Sequence, residues 1–219
     1  MDRTPTGPGP RLPLVVGVTG ASGAAYAVSL MRSLLAAGRD VHAVFSPAAT
    51  QVFRDELHYE LTPARLDRRE LFAVRFPWSD RPPVREPDGG GTLTVHRPAD
   101  WSAGIASGSF RTGGMVVCPC SMGTLAAVAG GLCSNLIHRA AAVHLKEGRP
   151  LILVPRETPL SPIHLASMKT VSDAGGVLLP AMPGFYHGVR DVDDLVDFVV
   201  ARVLDRLGVD NRLMTRWGG

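Results

Sequence analysis

LVVGVTGASGAA, Leu14 to Ala25, runs an apolar strand straight into a small-residue turn and the start of a helix. Val15-Val16-Gly17-Val18 has the continuous apolar character of a strand buried on both faces. The turn Thr19-Gly20-Ala21-Ser22-Gly23 leaves backbone N–H groups and a hydroxyl at a helix N-terminus, a geometry that suits a phosphate.

Outward from that turn, strands and helices alternate. Strand one is expected over Leu12–Val18 and a helix over Tyr26–Ala37, stopped by Gly38. A strand follows at Val41–Phe45, with a helix to about Leu57. Residues 60–113 read as irregular, with one short strand near Thr92–His96, and suit a lid, an insertion or an oligomer contact. Strands are expected at Met115–Cys118, Leu151–Val154 and Val177–Leu179. Helices are expected at Thr124–Ala129, Asn135–Glu147, Ile163–Ala174 and Val192–Leu207. This spacing predicts an α/β fold, a doubly wound parallel sheet in a single domain. The expected organisation is a disordered Pro/Gly-rich tail over 1–12, the domain over 13–208 and a C-terminal tail over 209–219.

Hydrophobic residues make up 45% of the 219 and charged residues 20%, which suits a globular enzyme or binding protein. A net charge of +3 with no basic run among aromatics argues against nucleic acid. No apolar run approaches the roughly 20 residues of a membrane span, and the start lacks a signal-peptide core. A cytoplasmic protein is expected. Cys118, Cys120 and Cys133 make no disulfide framework, and the first two read as small buried hydrophobes. The seven His residues show no ligand spacing, so no metal is expected.

Ligands bind outside the carboxyl ends of the strands in such a sheet. The residues that fall there are Gly20, Ala21 and Ser22, then Ser46, then Ser121, Met122, Gly123 and Thr124, then Arg156 and Glu157, and last Tyr186. Ser22, Ser46 and Ser121 serve equally as helix caps, and Arg156-Glu157 as a solvated pair. The glycine spacing is not the G-x-G-x-x-G of dinucleotide folds, and strand two ends in Ser46 and not in an acid. A mononucleotide such as FMN fits better. Arg139 and Lys146, seven residues apart, share a helix face. With Arg202, on the border of the last helix's apolar face, they imply a second phosphorylated ligand, unless Arg202 merely snorkels.

VTGASGAAYA (18–27), CPCSMGTLAAVAGG (118–131), NLIHRAAAVHLKEGRPLILVPRETPLSPIHL (135–165) and PGFYHGVRDVDDLVDFVVARVLDRLG (183–208) together resemble the flavin prenyltransferase family, the UbiX/Pad1 type. The resemblance covers about Leu14 to Gly218 and implies a Rossmann-like flavoprotein fold. It implies FMN held by Gly20, Ala21, Ser22, Ser46, Ser121–Thr124 and Arg156. Dimethylallyl phosphate would be held by Tyr186 and Arg202, with Lys146, Arg139 and the Ser107-Gly108 turn at its phosphate. Trp101 resembles the family's aromatic wall. The implied reaction joins the prenyl group to N5 and C6 of reduced FMN, for use by a UbiD-type decarboxylase. Glu157, Ser22, Lys146 and Trp101 are the implied catalytic groups. The implied assembly is a homododecamer in which neighbouring subunits complete each site. Met122 stands where many members have Thr, and 60–98 matches no family motif. An FMN-dependent cysteine decarboxylase of the same fold, or a non-catalytic flavin carrier, are the alternatives.

Overall fold

The computed structural model describes residues 11–218. The expected tail over 1–12 therefore lies outside the described residues, save Arg11 and Leu12. The elements run β1 (Leu14–Val18), α1 (Ala24–Ala36), β2 (Val41–Phe45), α2 (Pro47–Leu57), α3 (Arg68–Ala73), β3 (Leu93–His96), β4 (Gly114–Cys120), α4 (Met122–Ala129), α5 (Leu136–Lys146), β5 (Leu151–Pro155), α6 (Pro162–Asp173), β6 (Val177–Leu178) and α7 (Val192–Arg206). All strand pairs are parallel, in the order β3-β2-β1-β4-β5-β6. The order reverses between β1 and β4, which makes their carboxyl ends the topological switch point.

Every residue of β1, β4 and β5 is buried, so both faces must be covered. Val16, Val18, Ala43 and Val116 pack against α1, α2, α3 and α7 on one face. Val15, Val44, Met115 and Val117 pack against α4, α5 and Val171 of α6 on the other. Cys118 and Cys120 are fully buried, and burial pushes both thiols far above their ordinary range, as befits packing residues.

The segment expected to be irregular holds α3 and a 3-10 turn at Gly104–Ala106 besides its strand. Six residues are too few to show helical periodicity. What stabilises α3 is tertiary: Leu71 and Phe72 are buried, and the buried guanidinium of Arg32 on α1 donates to the carbonyls of Leu71 (3.1 Å), Phe72 (3.0 Å) and Val74. Burial, then Arg75, lowers the Arg32 pKa to about 10, so the cation is retained at neutral pH. Residues 76–84 are then held onto α7 by Arg81, which pairs with Asp191 (2.8 Å), Asp197 (2.8 Å), Asp193 (3.5 Å) and Asp194. The segment and α1 and α7 enclose a cavity of about 190 Å³ lined by Ser29, Arg32, Asp193 and Asp197. Residues 209–218 pack back on the domain: Val209 is buried, and Arg216 pairs with Asp205 at 2.8 Å.

Asp191 and Asp194 are held below the usual carboxylate range, first by the backbone amides of Asp194 and Arg190 respectively and then by Arg81. A depressed carboxylate contributes stability above its unfolded pKa and loses it as pH falls through the folded pKa. Arg81→Ala should lower stability at pH 7 by about 1–2 kcal/mol, the cluster being partly screened by solvent. The difference from wild type should shrink as pH falls below the usual carboxylate range. Urea midpoints measured at both pH values check this.

Candidate functional site

Four strand ends converge at the switch point. The turn after β1 crosses to β2 through Ser46, whose amide donates to Val18 O at 2.9 Å. Gly20 lies so close to α2 that an added Cβ would come within 2.4 Å of Ala48 Cβ, so only glycine fits. The turn crosses to β4 through Thr19 and to β5 through Arg156, whose Nε donates to Ser22 O at 3.3 Å. Gly20, Ala21, Ser22, Ser46, Ser121 and Arg156 are thereby gathered at one edge.

The ambiguity between caps and ligand groups resolves residue by residue. Ser46 Oγ caps α2 by accepting Ala49 N–H at 3.2 Å, and Ser121 Oγ caps α4 by accepting Thr124 N–H at 3.3 Å. Ser121 Oγ also donates to Thr124 Oγ1 at 3.1 Å. Ser22 caps nothing: Gly23, at φ 120°, holds the cap position of α1, and the Ser22 hydroxyl has no partner among the described residues. Arg156 and Glu157 do not pair with each other. Arg156 turns to Ser22, while Glu157, half-buried, accepts Thr158 N–H at 3.0 Å. Met122 is buried in the layer beneath β4 and leaves its amide at the edge, and Gly123 is open to solvent.

The expected phosphate position changes in one respect. The start of α1 is filled from within the chain: Glu56 on α2 accepts Gly23 N–H at 3.1 and 2.9 Å and Ala24 N–H at 2.9 Å. A carboxylate is well placed there against the helix dipole. The amides of Gly20, Ala21 and Ser22 have no acceptor among the described residues and remain available to an anion. Tyr26 packs under the turn, its phenol pKa raised by burial, then by Cys118 and Glu56, so it is neutral at pH 7. Thr19, Tyr26 and Glu56 are site residues that sequence reading missed. Tyr26 lies inside the quoted motif, but the partners of Thr19 and Glu56 are far away in sequence.

The remaining residues form two separate groups. Arg139 Nε donates to Ala106 O at 2.9 Å, and Lys146 pairs with Glu147 beside Gly108, so Arg139, Lys146 and Ser107-Gly108 lie along α5 and its neighbouring loop. Tyr186 stacks edge-on with Phe198 (5.7 Å) and Trp217 (5.1 Å). Arg202, half-exposed, pairs with Asp205 at 3.2 Å, and Arg216 shares that carboxylate. Arg202, at the border of the apolar face of α7, is thus ion-paired. Since α5 covers one face of the sheet and α7 the other, Lys146 and Arg202 stand on opposite faces of one chain. Lys146 ends a helix that runs antiparallel to the strands, so it also lies at the sheet edge away from Ser22. Trp101 is exposed just beyond β3.

Residues 3–204 match the family described as Flavoprotein. Flavin prenyltransferase UbiX of Halalkalibacterium halodurans is 46% identical over 203 residues, 93% of this chain and 92% of that protein. The chain belongs to the flavin prenyltransferase family. Two solved structures share its fold closely. One is AnUbiX (PadA1) in complex with FMN and dimethylallyl pyrophosphate, at TM-score 0.81 and 39% identity over 96% of this chain and 99% of that one. The other is a dodecameric FMN-dependent UbiX-like decarboxylase from Escherichia coli O157:H7, at TM-score 0.79 and 42% identity over 95% of this chain and all of that one.

Glu56→Ala should cost about 1–2 kcal/mol by leaving two amides of the α1 start unpaired, with Glu56→Gln losing less. Thermal unfolding of the three proteins checks the order.

Proposed function

We propose that this protein is a flavin prenyltransferase that transfers the dimethylallyl group of dimethylallyl phosphate to N5 and C6 of reduced FMN. The observation that carries this reading is the closure of Arg156 over a turn whose three amides and one hydroxyl have no partner of their own among the described residues. Those groups fit FMN: Gly20, Ala21 and Ser22 offer N–H donors, the capped starts of α2 and α4 at Ser46 and Ser121–Thr124 offer further amides, and Arg156 offers a cation. When bound, reduced flavin supplies the nucleophilic N5 and C6.

The chain's own groups do the rest. Allylic C–O cleavage leaves negative charge on phosphate, and Arg139, Lys146 and Arg202 stabilise it. Trp101 offers a π face to the positive prenyl unit. Glu157, acting with Ser22, would move the protons that the two bonds require: one leaves N5 as its bond to the prenyl group forms, one adds to the prenyl double bond, and one leaves C6 as that carbon bonds to the resulting tertiary centre. Because Lys146 and Arg202 sit on opposite faces of one chain, the donor site is built between copies. A dodecamer like that of the Escherichia coli relative supports such sharing. The cysteine decarboxylase and carrier alternatives would not call for a second phosphate site of Arg139, Lys146 and Arg202. The product would serve a UbiD-type decarboxylase in the cytoplasm. Among the described residues no helix is long and apolar enough to cross a membrane.

Incubation with reduced FMN and dimethylallyl phosphate should give a flavin heavier by one prenyl unit in mass spectrometry. An unchanged mass with FMN bound would overturn the reading. Glu157→Gln should hold FMN and turn over at least tenfold more slowly, a typical loss for a general acid–base group being about 10²–10⁴-fold. Arg202→Ala should raise KM for dimethylallyl phosphate and leave FMN affinity unchanged.

A further inference from the structure

The ladder between β1 and β4 stops short of the site. Its last paired residues are Gly17 and Val117, and β4 shifts register against β5 between Val117 and Cys120. Beyond β1, Thr19 N–H donates to Pro119 O near the end of β4 at 3.2 Å. The Thr19 side chain supplies the rest. Its hydroxyl donates to Pro119 O at 2.8 Å and accepts Ser121 N–H at 2.8 Å. The residue is 2% exposed, so neither bond is shared with solvent.

The bridge joins the two elements that the flavin reading places around a bound mononucleotide. On one side is the Gly20–Ser22 turn, which follows Thr19 directly. On the other is the first turn of α4, which begins right after Ser121. The hydroxyl uses its proton and a lone pair on protein groups, so it positions and does not touch ligand. Branching at Cβ narrows its rotamer choice, which suits a fixed spacer. Valine has nearly the same shape, but it would leave the Ser121 N–H without its acceptor and remove one of the two donors to Pro119 O.

We infer that Thr19 is a positioning residue that sets the gap between the β1 turn and the start of α4, and through it the affinity for FMN. The inference rests on the flavin reading above. It concerns how the flavin is held and not how the prenyl group is transferred.

The test compares wild type, Thr19→Val and Thr19→Ser. Amide hydrogen exchange is measured on the ligand-free proteins, FMN affinity by flavin fluorescence quenching, and KM for dimethylallyl phosphate at saturating FMN. Thr19→Val should speed exchange at Ser121 and in both loops and weaken FMN binding roughly tenfold, the loss expected for a buried hydrogen-bonding group. KM for dimethylallyl phosphate should stay unchanged. Thr19→Ser, which keeps the hydroxyl, should restore FMN affinity to within about twofold of wild type on the same scale. Wild-type exchange and affinity in Thr19→Val would overturn the inference, as would equal losses in the valine and serine proteins, which would assign the effect to packing. Should the valine protein not fold, Thr19→Ala carries the same expectations. A wild-type protein that takes up no FMN would overturn the flavin reading instead, and the ligand-free exchange would still decide whether Thr19 holds the loops.

Discussion

A parallel sheet with β1, β4 and β5 wholly buried has to be covered on both faces, and the connections must cross right-handedly. Moving outward from β1 through β2 to β3 puts the crossovers on one face. Moving the other way through β4, β5 and β6 puts them on the opposite face. The consequences reach the chemistry. The strand ends part at the switch point and leave a crevice. The cations of α5 and α7 are placed a full sheet apart. One topological rule therefore opens the crevice at the carboxyl ends of β1 and β4.

Within the crevice the chain spends its polar groups unequally. Glu56 fills the start of α1, and Ser46 and Ser121 cap α2 and α4. The two serine caps each satisfy one donor and leave the other first-turn amides of α2 and α4 open. Also uncommitted are the Gly20–Ser22 backbone and the Ser22 hydroxyl, with Arg156 drawn across them. The same economy appears at Asp205, which gathers Arg202, Arg216 and Asn211 and ties the last residues to α7 beside Tyr186.

Much of the fold was legible in the amino-acid order because long apolar strands and amphipathic helices alternate at regular spacing. Strand ends are where that pattern breaks, so Gly20, Ser46, Ser121 and Arg156 could be singled out by position alone. Boundaries moved by a residue or two where hydrogen bonding continues past the apolar run, as in β4, which extends to Cys120. Helix α3 escaped notice because the Arg32 guanidinium and not local periodicity stabilises it.

The sequence by itself determined the parallel α/β architecture, the small-residue turn after the first strand and the placing of Arg139 and Lys146 on one helix face. All of these follow from neighbours within a few residues, where period and side-chain size are sufficient. Only the tertiary structure decided which serine is left free, that Glu56 occupies the first helix start, that Thr19 spans to Ser121, and that Lys146 and Arg202 lie on opposite faces. The Glu56 and Thr19 contacts join groups 33 and 102 residues apart, and the distance between such groups is set by sheet topology and not by local chain preference.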